Sequence, residues 1–522
     1  MIARKSFLVF LNMMAGSVLG YVALFFILRY MGPEEYGIIG FGMAFVGLFA
    51  FIADLGFNHA HIKRVSEGRD LGSCIGTFFV VKVVLTAVMI GCVLFSIFFW
   101  KVVIGRGFET PEHEPVIYLF ILFYVITSLS SIPLTTFAAR RETAKQQLPG
   151  LIEPMTRAPL IIIIALGTFG VFALAGAYVA GVIAILITAI ILFRGYPIGK
   201  FDPKLFKHYF RFAIPIVVAA SIAMISVNID KVMLQLFWGS RFVGYYFGAQ
   251  RLTAFLVMIS TAVTLLLFPT LSEHHGKGEE KEIRRLTIVA ERYVSLIIMP
   301  ATILFIVFAK PILFLFNAEI AENATTTLQI MSIYSLVFSF DLLFFNQIMA
   351  VDRPGLSTKI AVVMAVTNIV LNAFFIPKDI RFLGINLLGM GAEGAALATA
   401  ISAIVGLILL KIVTRRLTGT KWNPKILMHL VAALVMGIVL FFISDTFNIW
   451  DLFDPFWAGI IDLLLYMGVL LCMGLLGIGI YLGILIIFKE FKKADLKLFL
   501  NILDPRGIKD YVIVELKDNK IE

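Results

Sequence analysis

Residues 6–30 read SFLVFLNMMAGSVLGYVALFFILRY, and residues 31–37 read MGPEEYG. The first stretch is apolar almost throughout. At 1.5 Å rise per residue, about 20 such residues cross the hydrocarbon core of a bilayer as one helix. Gly32 and Pro33 then end it, because proline lacks a backbone donor and glycine accepts the backbone of a tight turn. A second apolar run begins at Tyr36. This alternation of apolar run and short polar hairpin continues along the chain.

The composition agrees. Of 522 residues, 60% are hydrophobic and 15% charged, and the mean hydropathy is +0.96. A soluble protein of this length carries far more charge. Met1–Lys5 leads directly into an apolar run too long for the core of a signal peptide, so the first span is expected to anchor the chain. Cys74, Cys92 and Cys472 fall in apolar segments without metal-ligand spacing. They read as packing residues, and neither a disulfide framework nor a metal site is expected.

The fold class that follows is an all-α integral membrane protein with about 14 transmembrane helices. The expected spans lie near 6–30, 36–57, 71–100, 115–138, 147–169, 171–193, 212–238, 242–271, 287–309, 326–350, 357–376, 391–412, 425–444 and 456–488. With the N-terminus inside, 33 of the 44 Lys and Arg residues fall on the inner side, 7 on the outer side, and four within spans. That bias predicts cytoplasmic N- and C-termini. It also accounts for a net charge of +10 without nucleic acid as a partner.

Gly32 to Gly37 and Gly239 to Gly244 share the pattern G-x4-G, and Gly176-Ala-Tyr-Val-Ala180 parallels Gly394-Ala-Ala-Leu-Ala398. The chain therefore reads as two six-helix lobes related by a pseudo-twofold axis along the membrane normal, with two further helices appended. The expected boundaries are 1–200 and 201–416 for the lobes, 417–488 for the last two spans and 489–522 for a basic, amphipathic cytoplasmic tail. Paired lobes with a site between them suit alternating access.

Three groups of motifs carry a resemblance. One is Arg29-Tyr-Met-Gly-Pro-Glu-Glu-Tyr-Gly37 with Ala53-Asp-Leu-Gly56. The second is Ile229-Asp-Lys231 with Gly244-Tyr-Tyr246 and Ala249-Gln-Arg-Leu252. The third is Asn368-Ile-Val-Leu-Asn372 with Ile376-Pro377 and Gly394-Ala-Ala-Leu-Ala-Thr399. Over roughly residues 5–415 the chain resembles Wzx-like polysaccharide flippases of the multidrug/oligosaccharidyl-lipid/polysaccharide (MOP) exporter superfamily. The resemblance implies fourteen helices, two lobes and a central cavity. It also implies transfer of an isoprenoid-linked oligosaccharide from the cytoplasmic to the outer leaflet of the plasma membrane, with glycan polymerases or glycosyltransferases as partners.

Charges within spans are the candidate site residues, since each costs roughly 2.5–3.5 kcal/mol at a bilayer centre. Lys82, Arg157, Lys231 and Arg251 suit the phosphates of a lipid carrier. Each also has a structural reading. Glu153 precedes Arg157 by one helical turn, Asp230 adjoins Lys231, and Lys231 and Arg251 lie near enough to an interface to snorkel. The embedded acids Asp54, Glu153, Asp230 and Asp341 are candidates for coupling or gating. Asp341 could take Na⁺, shuttle a proton, or pair with a cation on another helix. No cofactor is expected beyond such a coupling ion, and no loop exceeds about 20 residues or carries a nucleotide-binding motif. The expected function is thus that of a transporter rather than an enzyme. A drug or cation antiporter of the same superfamily, a polytopic glycan polymerase or ligase, and a non-catalytic subunit of a glycan-assembly complex remain the alternatives.

Overall fold

The computed structural model describes residues 2–492 and 495, apart from 104, 106, 381–384 and 450–459. The expected tail at 489–522 lies almost wholly outside the described residues. In chain order the helices are α1 (Ile2–Phe26), α2 (Gly32–Gly47), α3 (Phe57–Ser66), α4 (Leu71–Val102), α5 (His113–Ala139) and α6 (Thr143–Gly167). They continue as α7 (Gly170–Leu192), α8 (Pro203–Phe237), α9 (Ser240–Gly276), α10 (Glu280–Val307), α11 (Ala309–Phe314) and α12 (Ala318–Asn323). The last five are α13 (Thr325–Ala350), α14 (Pro354–Phe375), α15 (Gly391–Thr418), α16 (Lys425–Thr446) and α17 (Ile460–Ile487). One small addition departs from a purely helical chain: β1 (Asp379–Ile380) pairs antiparallel with β2 (Ile385–Asn386).

Among the described residues, twelve helical stretches are long and apolar enough to cross a membrane. The chain is therefore a multi-pass membrane protein, although this count does not reach fourteen. The expected spans at 6–30 and 36–57 are counted together as one stretch, Asn12–Gly47, but the π turn at Ile27–Met31 ends at Gly32 with φ 89° and ψ 179°, so the backbone breaks between α1 and α2 where the hairpin is expected. Helix α8, which holds the expected span at 212–238, is not among the twelve; several of its side chains fall outside the described set.

Local sequence sets the boundaries. Asp70 caps α4 by accepting the Ser73 N–H at 2.7 Å. Asp202 does the same for α8 through Lys204 N–H at 2.8 Å, and Pro203 occupies the first turn, where a missing donor costs nothing. Between α6 and α7, Thr168 and Gly170 adopt positive φ of 51° and 80°, which makes the expected tight hairpin.

The chain groups into two compact units that follow a different division from the lobes read along the sequence. The first contains Leu11–Leu252 and Gly355–Gly406; the second contains Thr253–Pro354, the described residues from Leu407 onward, and the first ten residues. In the first unit, α7 packs against α5 and α6, and α2 packs against α5 and α8. Its closest approach joins the two G-x4-G turns. A Cβ at Gly37 would lie 1.7 Å from the Ser240 carbonyl oxygen, and one at Gly244 would lie 1.8 Å from that of Pro33. The two turns thus meet backbone to backbone, at the helix ends that the charge bias assigns to the outer side.

In the second unit, α10 packs against α13 and α16, and α16 against α17. A buried ion pair joins α10 to α15: Lys411 Nζ meets Glu291, with side chains 5% and 0% exposed. The ammonium also sits 4.2 Å from the centre of the Phe344 ring and 4.9 Å from that of Trp422. Arg292 holds the end of the last helix by donating to Glu490 and, with two nitrogens, to Asp495 at 2.8 and 2.9 Å. These bonds hold the Asp495 carboxyl well below the usual carboxylate range.

Removing one partner of a buried pair strands the other charge. Glu291→Ala should therefore destabilise the protein by about 3–5 kcal/mol. The double variant Glu291→Leu/Lys411→Leu should recover most of that loss. Thermal unfolding in detergent checks this, and a double variant no more stable than the single one would contradict it.

Candidate functional site

Seven of the eight charged candidates lie in the first unit, and three of the four cations there are matched by carboxylates. On α6, Arg157 pairs with Glu153 one turn earlier, and its guanidinium carbon lies 5.0 Å from the centre of the Tyr178 ring on α7. Both side chains keep about a fifth of their surface, 18% for Arg157 and 20% for Glu153.

Lys82 on α4 is buried. Its ammonium donates to the Ala53 carbonyl at 3.1 Å and to Asp54 Oδ1 at 3.2 Å. This is where the membrane helix α2 has given way to a 3-10 turn at Ala50–Ala53, and Leu55 and Gly56 take positive φ of 42° and 77°. Lys82 thereby supplies a partner to a carbonyl freed by the broken helix, which lipid could not do. Asp54 also accepts the Asn58 N–H at 3.1 Å and so starts α3.

Lys231 on α8 folds back on its own helix, donating to Val227 O at 2.7 Å and to Asp230 Oδ1 at 3.3 Å, and it also reaches Gln250 Oε1 at 3.3 Å. Adjacent helical residues point about 100° apart, but the long lysine stem bends back far enough to meet its neighbour. Tyr246 on α9 donates to the other Asp230 oxygen. From there a polar chain runs through Thr399 at 3.2 Å, Asn368 at 3.2 Å and Asn372 at 3.1 Å. One buried carboxylate thus takes donors from Lys231 on α8 and Tyr246 on α9, and Tyr246 links it to polar groups on α15 and α14.

Arg251 on α9 differs. It is exposed, and no carboxylate pairs with it among the described residues. Its guanidinium lies 5.0 Å from the centre of the Phe247 ring, and its carbonyl accepts the Tyr21 hydroxyl at 3.1 Å. The Phe247 ring stacks on Tyr36 at 4.8 Å. The Tyr36 hydroxyl in turn lies within the field of both Arg251 and Arg157. Arg157 and Arg251, from different lobes by sequence, therefore converge on one phenol.

In the second unit, Asp341 on α13 is fully buried, and neither carboxylate oxygen has a hydrogen-bond partner among the described residues. No cation pairs with it there.

Several members of these clusters were not among the candidates read from sequence. Tyr36 sits in the MGPEEYG motif and could have been singled out as the polar group facing the arginines. Lys411 lies in the apolar run LILLKIV, and its place at a span end hid its burial with Glu291. Asn368, Asn372 and Thr399 appeared only as motif letters, since their link to Tyr246 depends on tertiary packing.

Stability should separate the two kinds of cation. Lys82→Met should cost about 1–3 kcal/mol by leaving Asp54 and the Ala53 carbonyl without their partner. Arg251→Ala should stay within about 0.5 kcal/mol of the parent, as exposed substitutions do. Melting curves in one detergent test both; equal losses would refute the distinction.

The comparisons with known proteins point one way. Residues 26–319 match a family model described as polysaccharide biosynthesis protein. The chain is 24% identical over 473 residues to the probable low-salt glycan biosynthesis flippase Agl15 of Haloferax volcanii, covering 89% of this chain and 94% of that one. Among solved structures, the fold is similar to the lipid II flippase MurJ in an inward closed conformation, with a TM-score of 0.72 at 16% identity, covering 92% of this chain and 98% of the other. It is also similar to an inward-facing MATE multidrug transporter of the MOP superfamily, with a TM-score of 0.60 at 16% identity over 78% of this chain and 96% of that one.

Proposed function

The chain belongs to the polysaccharide biosynthesis protein family, and from that premise we propose that it is a lipid flippase of the Wzx type. Its substrate in this reading is an oligosaccharide on an isoprenoid phosphate or diphosphate, moved from the cytoplasmic to the outer leaflet by alternating access. It is a transporter rather than an enzyme. The membrane is the plasma membrane, both termini are cytoplasmic, and glycosyltransferases or a polymerase supply or consume the cargo.

One observation supports the reading above the others. Arg251, exposed on a membrane-spanning helix and without a carboxylate partner among the described residues, shares the surroundings of Tyr36 with a second arginine. A guanidinium can bind two phosphate oxygens at once, and the aromatic groups Tyr36, Phe247 and Tyr178 give the pair rigid walls. A cavity for drug cations would need the opposite sign there, which disfavours the antiporter alternative.

Reconstituted protein should expose a lipid-linked oligosaccharide to a leaflet-selective probe. Arg251→Ala should slow that exposure by a factor of about ten or more, as loss of a charged hydrogen bond requires, and Arg251→Lys should recover only part of it. Full activity in the Arg251→Ala/Arg157→Ala double variant would eliminate this phosphate site.

Coupling is assigned to Asp230 and Asp341, with Na⁺ or H⁺ as the ion. Asp341 comes first because no partner neutralises it among the described residues. Asp341→Asn should leave downhill flipping intact and abolish its response to an imposed ion gradient. A gradient response equal to the parent's would remove Asp341 from the coupling role.

A further inference from the structure

The first unit holds a carboxylate that the transport reading has not used. Glu109 lies in the connection between α4 and α5, and its Oε2 accepts three hydrogen bonds from the C-terminal half of the repeat. The Ser240 N–H donates at 2.7 Å, the Ser240 hydroxyl at 2.8 Å and the Gln235 amide at 2.7 Å. Ser240 and Gln235 are themselves buried, at 0% and 8% exposure.

The position is built for this carboxylate. Gly239 has a φ of 93°, and a Cβ there would fall 2.6 Å from Glu109 Oε1, so the acid fills the notch that glycine leaves. Ser240 opens α9, where an anion also meets the positive end of the helix dipole. His113 Nε2 lies 2.9 Å from the same Ser240 hydroxyl. Its ring stacks on Phe108 at 6.1 Å and 4°, and Phe108 stacks on Trp100 at 5.8 Å and 18°. That column of rings fixes the residue next to Glu109. Burial alone would raise the Glu109 carboxyl, but the bonds from Ser240 and Gln235 outweigh it and hold it below the usual range. The carboxylate is therefore ionised at neutral pH.

We infer that Glu109 is a gating residue for the outer side: it ties the α4–α5 connection to α8 and α9, and release outward requires it to let go. The inference rests on the transport reading for its role in a cycle, and on the structure for the tie itself. Beside it, the Gly37 and Gly244 backbones abut, and Glu34 meets Arg241 at 3.3 Å. That second bridge is exposed at both ends and adds little, as surface pairs do. Glu109 is exposed as well, but its three hydrogen bonds come from the buried residues Ser240 and Gln235, and theirs is the contact whose loss would matter.

The test uses Val243, which is 0% exposed in the closed contact. In full-length protein lacking the native cysteines, Val243→Cys is challenged with a membrane-impermeant maleimide from each side. With Glu109→Ala, labelling from the outer side should rise about tenfold or more, since charged hydrogen bonds are lost. Glu109→Gln, which keeps an acceptor but not the charge, should rise less. Unchanged labelling in a monodisperse Glu109→Ala protein would overturn the inference, and so would a rise seen only from the inner side. Should Glu109→Ala not fold, Gln235→Leu/Ser240→Ala removes two of the three donors and is read in the same way. Flipping is measured separately: failure of the parent to flip would defeat the transport reading, while the labelling still answers for the gate.

Discussion

An ionised side chain in lipid must be matched by an opposite charge, by backbone carbonyls or by water, and much of this fold follows from that demand. Lys82 with Asp54, Arg157 with Glu153, Lys231 with Asp230, and Lys411 with Glu291 each form an ion pair. Each cation also lies against an aromatic ring. The Lys82 and Lys411 pairs join separate segments and so fix which helix faces meet. The other two lie within one helix and neutralise charge locally. Among the described candidate residues, two remain after matching: a cation, Arg251, and an acid, Asp341. Unmatched charges survive in a membrane when function or water requires them, so these two groups carry the strongest claim to substrate and coupling.

The apolar runs and the hairpins between them were legible in sequence, because span length and turn chemistry are local properties. So were the tight turn at Thr168 and Gly170 and the Arg157–Glu153 pair, which needs only one turn of helix. The π turn at Ile27–Met31 that precedes the break at Gly32 was not legible, because it differs from an ordinary helix only in its hydrogen bonding. Nor was the convergence of Arg157 and Arg251. They lie 94 positions apart in the chain, and only tertiary packing places Tyr36 within reach of both. Glu109 was hidden for a related reason. An acid in a short outer loop reads as solvated, and its bonding to Ser240 and Gln235 depends on the glycine notch at the far end of α8.

The contact at the outer end is unusual in resting on main chain. Side chains that interdigitate can slide or change rotamer, but two backbones separated by the width of a missing Cβ have no such freedom. The turns at Gly37 and Gly244 are consequently either together or apart. A two-position contact of this kind is what an alternating mechanism needs, because intermediate separations gain neither the close packing nor full solvation. Glu109 adds three short, breakable hydrogen bonds to a contact otherwise joined by the exposed Glu34–Arg241 pair and the His113–Ser240 bond, which sets how often the two turns part.

Tyr36 and Gly37 are successive residues in the first turns of α2. Whatever moves Gly37 away from Ser240 therefore moves Tyr36 relative to α9, which carries Arg251. In the proposed cycle, a phosphate bridging Arg157 and Arg251 is held by two cations only while the outer contact is closed. Opening separates the helices, and the phosphate keeps one cation at most. A ligand shifts a conformational equilibrium only through its unequal affinity for the two states. By the same linkage, opening weakens the grip on the head group at the moment the outer leaflet becomes reachable. Release on the correct side then needs no separate eviction step. It follows from placing the two arginines on opposite sides of the contact that parts.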